Sequence, residues 1–416
     1  MKGLLPLIAT LLIQAFSAFA MMAVPVLVPV DPGPPRLSTA GIGAYVLFAY
    51  LGAMIGSLST GPMVERWGAI RTSQGALVLS AAGLALAALV PGTLMVAALL
   101  VGLGYGPITP ASSHVLIQTT PPHRRNLVFS IKQTGVPLGV AMTGFFIPPL
   151  AGPAGWVGTL VAVALACLVT AAASQPIQPG LDAQTSTAAQ DGSAGRGWSV
   201  ALLLRQLVEP LAVIFRHKGL RSMAIASFVL SGIQISFTSY LVSFLTTSLS
   251  VTALAAGLVL GLSQMGGVTG RIVWGYLSDR WFPPLLMLSA LCLVIVLASL
   301  ASSGLALWRL DLPILALALL MVIFGATASG WNGVYLAEVA RQAPPGEAAK
   351  ATSGTLACTF LGVIVGAPLF GLVASSRAGF AGAFLLEAAL ALGAAVTLYS
   401  FSQRAAAQHR AQPREA

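Results

Sequence analysis

The stretch Gly270-Arg271-Ile272-Val273-Trp274-Gly275-Tyr276-Leu277-Ser278-Asp279-Arg280-Trp281 decides how this chain is read. It starts inside an apolar run, carries an arginine where lipid-depth residues belong, and ends on an Asp-Arg pair. About half a chain earlier stands a weaker copy, Gly56-Ser57-Leu58-Ser59-Thr60-Gly61-Pro62-Met63-Val64-Glu65-Arg66-Trp67. Gly56/Gly270, Gly61/Gly275, Arg66/Arg280 and Trp67/Trp281 are identical, and Glu65/Asp279 keep the charge. A period that long points to a duplicated bundle rather than a short-repeat solenoid.

Composition fixes the environment. With 57% hydrophobic and 8% charged residues, the chain falls far below the roughly one-quarter charged content of soluble domains. Apolar runs of about 20 residues recur throughout, each long enough to cross a ~30 Å hydrocarbon core as a helix. Backbone groups in lipid must be satisfied within the segment, so such runs are helices rather than strands. The fold class is all-α polytopic membrane protein. The three cysteines, Cys167, Cys292 and Cys358, lie in apolar runs and read as packing residues.

Twelve spans are expected, at 4–30, 40–63, 72–91, 94–117, 127–150, 154–174, 221–247, 251–275, 284–303, 312–336, 350–373 and 380–401. Lys2 and Ala18-Phe19-Ala20 imitate a cleavable signal peptide, but apolarity continues to Val30, so an uncleaved first helix is expected. The domains are a six-helix bundle over 1–174, a cytoplasmic linker over 175–220, a second bundle over 221–402 and a tail over 403–416. The polar stretch 175–198 reads as flexible by composition. Ser199–Lys218 alternates Leu202, Leu207 and Leu211 with Arg205, Glu209 and Arg216, the pattern of an amphipathic surface helix. Arg66, Arg71, Arg124, Arg125, Arg280 and Arg341 share a side with both termini, whereas Arg36, Arg309 and Arg377 fall opposite. Termini and linker are therefore expected in the cytoplasm, which places most of the formal charge of +10 on the cytoplasmic face rather than on nucleic acid.

On these residues the chain resembles the major facilitator superfamily (MFS). Its signature between spans two and three, Gly-x-Leu-x-Asp-Arg-x-Gly-Arg-Arg, stands here as Gly61-Pro62-Met63-Val64-Glu65-Arg66-Trp67-Gly68-Ala69-Ile70-Arg71, and again as Gly275-Tyr276-Leu277-Ser278-Asp279-Arg280. The resemblance implies two pseudo-symmetric six-helix bundles and a gate built on Gly61, Glu65, Arg66, Gly68, Arg71, Gly275, Asp279 and Arg280. Close helix contact is expected at Gly61 and Gly275. Gly330-Trp331-Asn332-Gly333-Val334-Tyr335-Leu336-Ala337-Glu338-Val339-Ala340-Arg341 resembles a family pattern in which Glu338 and Arg341 end a cavity-lining helix; an ordinary i,i+3 ion pair is the alternative.

Arg271 lies eight residues before Asp279, ~12 Å inward at ~1.5 Å per residue, close to midplane. Its repeat mate is Ser57, so the fold itself does not require a cation there. An intramembrane arginine is by default a functional residue, and Arg271-x-x-x-Gly275 is similar to the eighth span of monocarboxylate porters. Lys132 sits ~10 Å into span five, with snorkelling to the headgroups as the bland alternative. The family implies that spans five and eight are neighbours, which would make Lys132 and Arg271 an anion clamp. Gln133, Gln234, Gln264, Trp331, Asn332, Tyr335 and Tyr105 are the expected substrate-binding companions, and Gln14 is a weaker one. Glu387 and His114 are the candidates for proton coupling.

No Gly-x-x-x-x-Gly-Lys-Ser/Thr loop, metal-ligand spacing or catalytic constellation occurs, so no enzyme, cofactor or metal is expected. The expected function is secondary transport of a small organic anion, such as a monocarboxylate, by rocker-switch alternating access as a proton symporter. A monomer in the bacterial inner membrane is expected. The alternatives are an exporter of amphiphilic drugs or neutral solutes, and a non-transporting sensor on the same fold.

Overall fold

The computed structural model describes residues 4–31, 33, 37–121, 124–182, 212–310, 312–344 and 348–411. Most of the linker, including the expected surface helix up to Leu211, and Lys2, Arg36 and the final residues of the tail lie outside the described residues. Among the described residues every regular element is helical. In order they are α1 (Leu4–Leu27), α2 (Thr39–Leu58), α3 (Thr60–Trp67), α4 (Ala69–Leu89), α5 (Leu94–Tyr105), α6 (Ile108–Thr119), α7 (Arg125–Gln133) and α8 (Gly135–Ala173). After a 3-10 turn at Gln175–Ile177 come α9 (Lys218–Ser248), α10 (Ala253–Arg280), α11 (Pro284–Trp308), α12 (Ile314–Ala328), α13 (Asn332–Gln342), α14 (Ala348–Ala374) and α15 (Gly379–Ala411).

Eleven stretches among the described residues are long and apolar enough to cross a membrane. The longest, Val128–Asp182, holds two expected spans, because Gly155 (φ 61°, ψ −170°) breaks it just after Pro148, Pro149 and Pro153. Large apolar side chains such as Val169, Leu297 and Leu315 are exposed, as lipid contact requires. Several expected spans are interrupted: span two at Ser59, span four at Gly106-Pro107, span five at Thr134 and span ten at Ser329-Gly330-Trp331. Each break carries a local signal: Pro62 and Pro137 have no N–H to donate to the Leu58 and Gln133 carbonyls four residues back, the last residues of α2 and α7, and Gly106-Pro107 and Gly330 mark the other two.

The chain divides into two compact units, Met1–Ser199 with Thr238–Met265, and Val200–Phe237 with Gly266–Ala416. Within the first, α1 packs on α8, and α4 and α2 pack on α5. Glycine makes the close approaches: a methyl group added at Gly102 would overlap the Ala49 carbonyl oxygen, and one at Gly106 the Ala53 carbonyl. Within the second, α11 packs along α15, and Gly366 lies against Gly232. Lipid tails are as apolar as leucine, so this backbone-to-backbone packing does what hydrophobic burial does in water. Gly61 and Gly275 behave otherwise than expected, since an added methyl would meet nothing within 4 Å at either position. Gly61 is exposed and Gly275 half-buried, so neither sits in a tight helix crossing.

Gly102→Val should therefore cost at least ~1–3 kcal/mol through overpacking and abolish a monodisperse peak in size-exclusion chromatography. Gly393→Ala, where an added methyl meets nothing within 4 Å, should leave the peak and the melting temperature unchanged.

Candidate functional site

In the first unit, α1, which carries Gln14 and Ser17, packs on α6 and on α7, which carries Lys132 and Gln133. Gly135 opens α8 directly on α1, since a side chain there would run into Gln14 and the Leu11 carbonyl, and Gly139 lies on the Ala15 carbonyl. Gln14 is fully buried; its Oε1 accepts from the Thr109 hydroxyl at 3.0 Å, while its Nε2 finds no protein acceptor. Ser17, one turn on, is equally buried, and its hydroxyl has no partner. Lys132 sits in the last turn of α7, just before the start of α8, with 1% of its surface exposed. It does not snorkel. Its Nζ makes no hydrogen bond to any described residue. Tyr105 stacks with Tyr50 at 6.2 Å, and Gln264 is buried in the same unit. Gln133 closes α7.

In the second unit the break in span ten organises the candidates. Its backbone carbonyls lose their helical partners, and side chains of α10 supply replacements: Arg271 Nε donates to the Ser329 carbonyl at 3.0 Å, and Trp274 Nε1 donates to the Ala326 carbonyl at 2.7 Å. Arg271 is thus held by its Nε, which fixes the plane of the guanidinium fork. Beyond the break, Trp331 is buried with its indole N–H unpartnered and meets Tyr335 edge to face at 5.1 Å. Asn332 Nδ2 donates to Gln234 Oε1 at 3.3 Å. Arg271, Gln234, Trp331, Asn332 and Tyr335 therefore gather around one broken helix.

The signature charges Glu65, Arg66 and Arg71, and likewise Asp279 and Arg280, are exposed on their own units. Gly68 has φ 88° and is buried at the turn into α4. Glu338 and Arg341 form the i,i+3 pair: Arg341 Nε and Nη2 reach the two carboxylate oxygens at 2.7 and 2.6 Å, with Glu338 fully buried and Arg341 largely exposed. Gln342 also donates to that carboxylate. Glu387 is 4% exposed, and neither of its oxygens has a protein partner. It lines a narrow crevice with Phe228, Gly232, Gly362 and Gly366. His114 is half-buried and reaches only Gln118, at 3.5 Å. Among the described residues no three His, Cys, Asp or Glu side chains cluster in a way that could hold a metal.

The model of the family described as Major Facilitator Superfamily matches residues 6–353. The chain belongs to that superfamily. That family and the relatives named below are transporters, not enzymes. A gallate transporter of Pseudomonas putida is 26% identical over 273 residues, and that match spans only 59% of either chain. The 4-hydroxybenzoate transporter PcaK of the same organism is 26% identical over 356 residues, covering 80% of this chain and 77% of that one. A bacterial homologue of the lysosomal transporter Spinster, solved facing inward and occupied, superposes with a TM-score of 0.72 over 97% of each chain at 15% identity, a likeness of fold alone.

Within this MFS fold, sequence reasoning missed the two α10 donors as a set. Trp274 stands one turn after Arg271 on the same helix face, and that i,i+3 spacing beside a glycine-broken helix is the signal that would have found it. Trp274→Phe leaves the Ala326 carbonyl without this donor and should lower stability by about 1–3 kcal/mol. A few degrees lost in a detergent thermal melt, with membrane insertion unchanged, is the expected result.

Proposed function

We propose that this superfamily member is a secondary transporter of small organic anions, carboxylates of the size of a monocarboxylate or a hydroxylated aromatic acid. The observation that carries this is the buried Lys132 ammonium, which has no acceptor among the described residues. An unpaired buried cation is costly, and a substrate carboxylate is the group that would compensate it most. The neighbouring groups on α1 agree in sign, since the Gln14 Nε2 and the Ser17 hydroxyl can both donate. Arg271 supplies a second cation at depth, presented edge-on by its bond to Ser329. The names of the two relatives, transporters of gallate and of 4-hydroxybenzoate, point to the same substrate class.

The proposed mechanism is alternating access of rocker-switch type, with Glu65, Arg66, Arg71, Asp279 and Arg280 as gate charges. Proton symport would neutralise the charge carried with the anion, and Glu387 and His114 are the groups proposed to take that proton. The proposed setting is a bacterial inner membrane, with both termini cytoplasmic and the protein monomeric.

Purified protein should melt at higher temperature with 4-hydroxybenzoate or gallate, by mass action on the folded state, and not with glucose or a cationic dye. Losing a hydrogen bond to a charged group costs ~1.5–3 kcal/mol, so Lys132→Gln and Arg271→Ala should each weaken binding by about 10- to 150-fold. Uptake unchanged in both variants, or stabilisation by dyes or sugars alone, would overturn this reading.

A further inference from the structure

The signature segment of the first unit is held from an unexpected place. The polar stretch after span six is not flexible at its start: residues 175–182 form a 3-10 turn followed by helical residues 178–182, folded back on α4. Gln74 Nε2 donates to the Ala171 carbonyl at 3.1 Å and to Gln175 Oε1 at 3.0 Å. Leu181 packs on an apolar cluster of Val64, Ala69, Ile70, Ala111 and Val115, which joins the signature helix α3 to α4 and α6. Asp182, 6% exposed, accepts the backbone N–H of Ile70 at 2.9 Å and of Arg71 at 3.1 Å, while Gln178 Nε2 reaches the same carboxylate at 3.0 Å.

The sequence around α4 explains why an outside acceptor is needed. The helix begins Gly68-Ala69-Ile70-Arg71, and no side chain in its N-cap makes the capping bond. First-turn amides without an acceptor need one from elsewhere, and a carboxylate also suits the positive helix end. Gly68 is what lets Asp182 in, because a methyl group there would overlap its carboxylate and its φ of 88° disfavours any side chain. The second copy starts differently. Its helix α11 begins Pro283-Pro284, so one first-turn donor is absent and the φ there is already helical.

We infer that residues 178–182 form a clasp and that Asp182 is a positioning residue for the signature gate. By fixing the Gly68–Arg71 turn, it sets the direction in which Glu65, Arg66 and Arg71 are presented. It acts through backbone amides and touches no substrate. The inference goes beyond the proposed substrate class and uses only the transport activity of the family and the gate role of those charges.

The test compares full-length wild type, Asp182→Ala and Asp182→Asn by hydrogen–deuterium exchange and by 4-hydroxybenzoate transport in proteoliposomes. Amides in 66–74 should exchange at least tenfold faster in Asp182→Ala, and less so in Asp182→Asn, with the rest of the unit unchanged. Turnover per folded molecule should fall several-fold at unchanged KM, as expected when gating rather than binding is damaged. Unchanged exchange in 66–74 overturns the clasp. Faster exchange with unchanged turnover overturns the positioning role and leaves a plain helix cap. Should Asp182→Ala fail to fold, Asp182→Asn with Gln178→Ala carries the same readouts. A wild type that carries no 4-hydroxybenzoate would count against the substrate reading instead; gallate then serves as probe, and the exchange result still decides the clasp.

Discussion

A helix broken inside a bilayer exposes backbone carbonyls that no water can satisfy, and the second unit is arranged around answering that need. Span ten gives up its helical bonds at Ser329-Gly330-Trp331, and α10 answers with Arg271 on the Ser329 carbonyl and Trp274 on the Ala326 carbonyl. Gly270 permits the approach, since any side chain there would overlap that same Ala326 carbonyl. The break in turn places Trp331, Asn332 and Tyr335 on a short separate helix, where Asn332 reaches Gln234. One requirement of hydrogen bonding thus orders five of the expected site residues.

The duplication survives at this level of detail. Gly56, the repeat mate of Gly270, lies in the first unit against the Leu103 carbonyl and Pro107, beside the break in span four. Each copy therefore seats a glycine of the signature-bearing helix on the broken helix of its own unit. The copies part at the next residue. Ser57 carries no charge, whereas Arg271 brings a cation that also serves as a backbone donor. A single arginine can do both jobs because its five donors lie in a rigid fork.

Much of this was legible beforehand. Composition and run length gave the helical membrane class, and the paired signatures gave the family, since both are properties of long segments. Lys132 and Arg271 stood out because a charge in an apolar run is expensive wherever it points. Their surroundings were not legible: Pro137 marks a break after Gln133, but which side of α7 ends up buried is set by packing against other helices. Glycine misled in another way. Gly61 and Gly275 belong to the signature, yet the tight crossings fall at Gly102, Gly106 and Gly139, because burial at a crossing is a tertiary fact. Asp182 was hidden by its company, a stretch of Gln, Ser, Gly and Ala that reads as linker on average, although the uncapped start of α4 already called for an acceptor.

The buried polar groups differ in how far the described protein satisfies them, and that difference separates structural roles from functional ones. Glu338 is fully buried but answered by the Arg341 fork and by Gln342, so its charge is spent within the fold. Asp182 is answered by two amides and Gln178. Among the described residues Lys132 is answered by nothing, and the groups of α1 beside its helix that lack a partner there, on Gln14 and Ser17, are ones that can donate. A fold maintained only for its own stability would lose such a set at little cost, since replacing a buried unpaired polar group by an apolar one of similar shape is commonly neutral or stabilising. Its presence is accounted for when the missing acceptors arrive from outside the chain, which is the behaviour of a site that binds an anion and releases it.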